Sequence, residues 1–101
     1  MHQFQQVKLT DRAEALLSAL AERVVIADGA MGTMLQAQKP SLEDFQNHEG
    51  CNEILNVTRP DIVVGVHDAY FETGIDCVET NTFGANWSNL SDYGIEDRIQ
   101  E

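Results

Sequence analysis

The sequence predicts an α/β chain built around a parallel βαβ crossover, and three observations carry that expectation. The β-branched run Val24-Val25-Ile26-Ala27 stops on Asp28-Gly29, a dipeptide that ends strands. A second apolar run, Ile75 to Thr80, stops on Asn81-Thr82-Phe83-Gly84. Between them lies a helical pattern opened by Pro60 and closed by Gly74. Strand, loop, helix, strand requires a parallel pair, and such connections are almost always right-handed.

Each element has a local reason. Ala13, Leu16, Leu17 and Leu20 recur at helical spacing, so residues 10 to 22 form a helix that Thr10 or Asp11 can cap and Glu14 can support. Val24 to Asp28 reads as a strand covered on both faces, which places Asp28 at its C-terminal end, where parallel α/β folds converge loops on ligands. Gly29 and Gly32 bracket the following loop, which turns helical from Thr33 to Gln38. Residues 39 to 56 hold Pro40, Ser41, Asn47, Gly50 and Asn52 and read as a long connection with room for one short helix. From Pro60, Asp61 complements the helix dipole and Ile62, Val63, Val66 and Tyr70 form the buried stripe. Ile75 to Thr80 makes the second strand, and Ser88 to Tyr93 with Ile95 to Glu101 opens another helical layer. Two parallel strands are too few to stand alone. The pattern therefore belongs to a larger sheet, either doubly wound or an eight-stranded barrel of about 250 residues.

Composition bounds the partners. A 101-residue chain that is 43% apolar with two prolines is expected to be globular. Seventeen acidic residues against six basic ones give a formal charge of −11, which repels nucleic acid and anionic membranes. Lys8, Asp11, Arg12 and Glu14 interrupt the start, so neither a signal peptide nor a membrane span is expected, and the location is read as cytoplasmic. Cys51 and Cys77, without a C-x-x-C, suggest neither a disulfide framework nor a zinc ribbon, and Cys77 reads as core.

Four motifs now stand in order: Asp28-Gly29-Ala30-Met31-Gly32-Thr33, Cys51-Asn52-Glu53-Ile54-Leu55-Asn56, Arg59-Pro60-Asp61-Ile62-Val63 and Glu79-Thr80-Asn81-Thr82-Phe83-Gly84-Ala85-Asn86. Over about residues 22 to 98 they resemble the start of the homocysteine-binding module of the homocysteine S-methyltransferase family. The Asn-Thr-Phe-Gly-Ala-Asn run is nearer its cobalamin-dependent branch than its betaine-dependent one.

The resemblance implies that residues 24–101 are the N-terminal portion of a (β/α)8 barrel, namely its first two βα units, with residues 1–23 as an N-terminal helical extension. It implies a zinc ion on three cysteine thiolates that binds homocysteine, whose thiol, with an ordinary pKa of about 8.5, becomes a nucleophilic thiolate on the metal. It further implies methyl transfer from methylcobalamin, recharged from methyltetrahydrofolate, on separate cobalamin and folate modules. The Gly-Gly-Cys-Cys-Gly motif that carries zinc ligands in the family is not in this sequence, and neither Cys51 nor Cys77 matches a ligand position. The chain alone is expected to be inactive and without zinc. What the resemblance leaves to it is part of the homocysteine pocket: Asp28, Gly29, Ala30 and Met31 at one strand end, and Thr80, Asn81 and Thr82 at the next. The chemistry agrees, because an α-ammonium suits a carboxylate and an α-carboxylate suits the open backbone N–H groups of Gly29 to Gly32.

Blander readings attach to the remaining candidates. Asp28-Gly29 by itself is commonly a plain turn. Gly29-x-x-Gly32 is neither a dinucleotide fingerprint nor a phosphate loop. Glu79 is a polar strand-end residue or the partner of a neighbour. His48 and Cys51 fall short of a four-ligand zinc site and read as surface loop, while His67 borders a buried helix face. Trp87 and Tyr93 read as packing, and Asp92, Glu96, Asp97 and Glu101 as a solvated acidic surface. Two rivals to the transferase reading remain: a non-catalytic α/β binding or oligomerising module that self-associates through exposed strand edges, and a zinc-independent binder of another amino acid using Asp28.

Overall fold

The computed structural model describes residues 8–101. Helix α1 (Asp11–Glu22) begins at Thr10, whose hydroxyl accepts the Ala13 N–H at 3.2 Å. Thr10 thus satisfies one of the donors that a helix start leaves open. None of the residues of α1 is buried, and Leu16, Leu17 and Leu20 are about half exposed. The helix stands off the rest of the chain. This is why the radius of gyration, 16.7 Å, exceeds the ~13 Å of a compact chain of this length.

The core is helical. Helix α2 (Gly32–Ala37), a 3-10 turn at Asn52–Ile54, α3 (Leu55–Thr58) and α4 (Pro60–Glu72) surround Leu35, Leu55 and Cys51, all essentially without solvent contact. Burying a leucine side chain contributes roughly 1.5–3 kcal/mol, so Leu35 and Leu55 dominate this layer. Helix α4 follows its sequence pattern: Pro60 takes the first turn, Ile62, Val63 and Val66 are buried, and Gly74, at φ 92°, lets the chain reverse where a Cβ would strain it. Arg59 ties the front of α4 to the preceding loop, pairing with Asp61 at 2.9 Å and with Asp44 at 3.0 Å. Helix α5 (Trp87–Ser91), capped by the Asn86 side chain on the Asn89 N–H at 2.8 Å, brings Leu90 into the core beside Ile95. A 3-10 turn at Glu96–Arg98 follows.

The expected pair of strands is overturned. Among the described residues there is no strand, only one parallel rung between Ala27 and Cys77. Its two hydrogen bonds run from the Cys77 N–H to the Ile26 carbonyl at 3.3 Å and from the Asp28 N–H to the Cys77 carbonyl at 3.1 Å. Side chains take the places of the neighbouring rungs. The Ile26 N–H donates to the Asp76 carboxylate at 2.9 Å, and the Glu79 N–H donates to the Asp28 carboxylate at 3.2 Å. With those groups occupied the ladder cannot extend in either direction. The apolar run is not covered on two faces either, since Val24 is 81% exposed and Ile26 54%.

The structure therefore shows no βα units of a (β/α)8 barrel, and the described residues offer no strand edge for self-association. The thiols are exchanged relative to expectation: Cys77 is half-buried, whereas Cys51, read as surface loop, is in the core.

Candidate functional site

The loops leaving the single rung lie side by side and frame an open cleft of about 320 Å³. Of the residues nominated from sequence, Asp28, Gly29, Met31, Thr80 and Asn81 line it. Ala30 and Thr82 do not. The Ala30 carbonyl accepts the Tyr70 hydroxyl at 2.6 Å, and Thr82 lines a neighbouring, mainly apolar cavity of about 250 Å³ while its hydroxyl lies 2.7 Å from that of Thr80.

Asp28 is half-buried and its carboxylate is only half used: Oδ1 takes the Glu79 N–H, and Oδ2 has no protein donor among the described residues. The N–H groups of Gly29, Ala30 and Met31 likewise meet no acceptor among the described residues. The loop is held from beneath by Tyr70 of α4. A Cβ on Gly29 would sit 3.2 Å from the Tyr70 hydroxyl, so the glycine lets the ring reach the Ala30 carbonyl.

Asn81 lines the cleft with its side chain already engaged within the protein. It is 6% exposed, and both hydrogens of its amide are committed, to the Asn52 carbonyl at 2.9 Å and to Asn56 Oδ1 at 3.0 Å. Asn56 returns a bond from Nδ2 to the Asn81 carbonyl at 2.7 Å. A closed set of this kind fixes the turn after Thr80 against the 3-10 segment.

Glu53 adds a second tie, its Oε2 accepting the Gly84 N–H at 3.1 Å. A Cβ on Gly84 would fall 2.9 Å from Glu53 Oε1, so any larger residue would push the Glu53 carboxylate away from the Gly84 N–H. Sequence reasoning missed Asn52, Glu53 and Asn56 as site residues. The available signal was the recurrence of asparagine at 52, 56 and 81 inside two of the quoted motifs.

Charge in the cleft is one-sided. Asp28, Glu53 and Glu79 line it, with no lysine, arginine or histidine among the lining residues, so it favours a cationic group. Among the described residues no group of three or more histidine, cysteine or acidic side chains could hold a metal ion. The thiols do not fit a three-thiolate zinc centre: there are two, and Cys51 is enclosed, with burial pushing its thiol pKa up. No helix of the described residues is long and apolar enough to cross a membrane.

These two loops and the segment between them fall within the stretch that known proteins share. A family model described as homocysteine S-methyltransferase matches residues 25–101, and the chain belongs to that family. Among curated relatives it is 60% identical over 86 residues to a methionine synthase of Mycobacterium tuberculosis (strain ATCC 25618 / H37Rv). It is 59% identical over 86 residues to a methionine synthase of Mycobacterium leprae (strain TN). Each alignment covers 85% of this chain and 7% of the relative, so the chain spans a small part of the length of the proteins it matches. Comparison with solved structures finds no match.

Proposed function

We propose that this chain is part of the homocysteine-binding module of a methionine-synthase-type methyltransferase, and that its cleft receives the amino-acid end of homocysteine. The observation that carries the reading is the pairing, on one loop, of an uncommitted carboxylate oxygen on Asp28 with uncommitted N–H groups at the cleft-lining Gly29 and Met31. A zwitterion needs both signs of partner within a few ångströms. The carboxylate meets the ammonium, and the amides meet the carboxylate without any basic side chain. Thr80 and Asn81 belong to the opposite wall, with Asn81 fixing its shape and Thr82 acting only through its contact with the Thr80 hydroxyl.

The role is confined to binding. The zinc that the family implies and the methyl donor, with its folate and cobalamin modules, are assigned to the remainder of a longer cytoplasmic enzyme. The test is Asp28→Ala in the full-length enzyme. Losing a charge-assisted contact should raise KM for homocysteine on the order of tenfold or more, with a smaller effect on kcat. An unchanged KM would remove Asp28 from the pocket.

A further inference from the structure

Resting on the pocket reading above, we infer that Asn52 is a further specificity-determining residue of the cleft, whose side-chain amide receives the α-carboxylate of the amino-acid substrate. Three observations meet at this residue. Its Oδ1 is enclosed and has no hydrogen-bond partner. Its Nδ2 donates to no protein acceptor among the described residues, and it lies at the cleft wall, 3.2 Å from where a Gly32 Cβ would be. Its backbone carbonyl, by contrast, is committed to Asn81 at 2.9 Å. The main chain is thus fixed while the side chain contributes nothing to the hydrogen bonding of the protein itself.

The enclosed atom is Oδ1, an acceptor that a carboxylate cannot satisfy, so the partner sought here is an acceptor for Nδ2, the donor half of the same amide, which is not among the enclosed atoms. Asn52 is also the one lining residue with uncommitted side-chain amide hydrogens. Those of Asn81 are both used, and the Thr80 hydroxyl is paired with that of Thr82. In a cleft lined by Asp28, Glu53 and Glu79, an incoming carboxylate is repelled by every ionised side chain. It can be accepted only by neutral donors. Asn52 Nδ2 supplies one from the wall facing Gly29 to Gly32, and glycine at position 32 leaves the space for it.

Asn52→Ala and Asn52→Asp in the full-length enzyme, titrated with L-homocysteine and with 3-aminopropane-1-thiol, which lacks the carboxylate, test this directly. The expected result is a loss of homocysteine affinity on the order of tenfold for the alanine variant, a larger loss for the aspartate variant, and unchanged affinity of the alanine variant for the carboxylate-free amine. The melting temperature of Asn52→Ala should not fall, because no protein hydrogen bond is removed. Equal losses for both ligands, or no loss for either, would overturn the assignment. So would tighter binding by the aspartate variant, which would put Asn52 on the ammonium. Asp28→Ala in the same titrations separates the two readings: a response at Asp28 with silence at Asn52 defeats this inference alone, while silence at Asp28 defeats the pocket itself.

Discussion

Asp28 Oδ1 accepts the Glu79 N–H at 3.2 Å, across 51 positions of sequence, and so joins the two loops of the cleft at the place where a parallel ladder would continue. One carboxylate is therefore both a structural tie and a ligand group. The two roles separate chemically. In Asp28→Asn the side-chain carbonyl still accepts the Glu79 N–H, but the charge is gone. The melting temperature should stay close to that of the parent, while KM for homocysteine should rise nearly as far as in Asp28→Ala. A variant that melts much earlier would show that the charge serves the fold.

The Arg23–Asp76 pair guards the other end of the rung. Both terminal guanidinium nitrogens reach the carboxylate at 3.0 Å, and Asp76 Oδ2 also takes the Ile26 N–H. The Arg23 contact and then the Ile26 N–H hold the Asp76 carboxyl below its ordinary pKa. A carboxyl lowered in the folded state stabilises it above the unfolded pKa, about 3.9 for aspartate, and that contribution disappears as pH falls through the lower folded value. Wild type should therefore melt above Asp76→Asn at neutral pH, and the gap should close in strong acid. The pair is partly exposed, so added salt should narrow the gap as well. A gap that widened in acid would contradict the assignment.

The thiols should differ in reactivity. Cys51 is 1% exposed and its pKa is raised by burial, whereas Cys77 is half-buried beside the Ile26 carbonyl. Alkylation with mass readout should show Cys77 modified first and Cys51 only as the core opens. Equal rates would mean that the core around Leu35 and Leu55 is not closed in solution.

Gly84→Ala should cost about 1–3 kcal/mol in denaturant unfolding, because the new methyl displaces the Glu53 carboxylate and leaves the Gly84 N–H without its partner. In a Glu53→Ala background the same substitution should cost much less, since nothing remains to collide with. A double-mutant cycle measures the difference, and additive effects would break the link between the two residues.

Sequence legibility divides along a physical line. Helix α4 was readable because Pro60, Asp61 and the Ile62-Val63-Val66 stripe act within one or two turns of the chain. The run Val24 to Asp28 carried an equally strong local signal and yet forms no strand. Strand formation depends on backbone partners elsewhere, and here Asp76 and Asp28 occupy the donors that further rungs would need. The cleft shows the same split. Asp28 and the glycine-spaced loop announce themselves locally, whereas Asn52 and Glu53 acquire their surroundings from positions 29 to 31 residues away, Asn81 and Gly84. Cys51 was misplaced for a related reason: a cysteine in a polar loop is buried only because it joins the core cluster with Leu35, Leu55, Leu90 and Ile95.

The asparagine set at 52, 56 and 81 contains no group that gains or loses a proton in the ordinary pH range. Its grip on the turn after Thr80 is therefore indifferent to acidity. That turn is one wall of the cleft, so this side of the mouth keeps its cut whatever the proton concentration around it, while the span between the two loops rests on the Asp28 carboxylate and the Glu79 N–H.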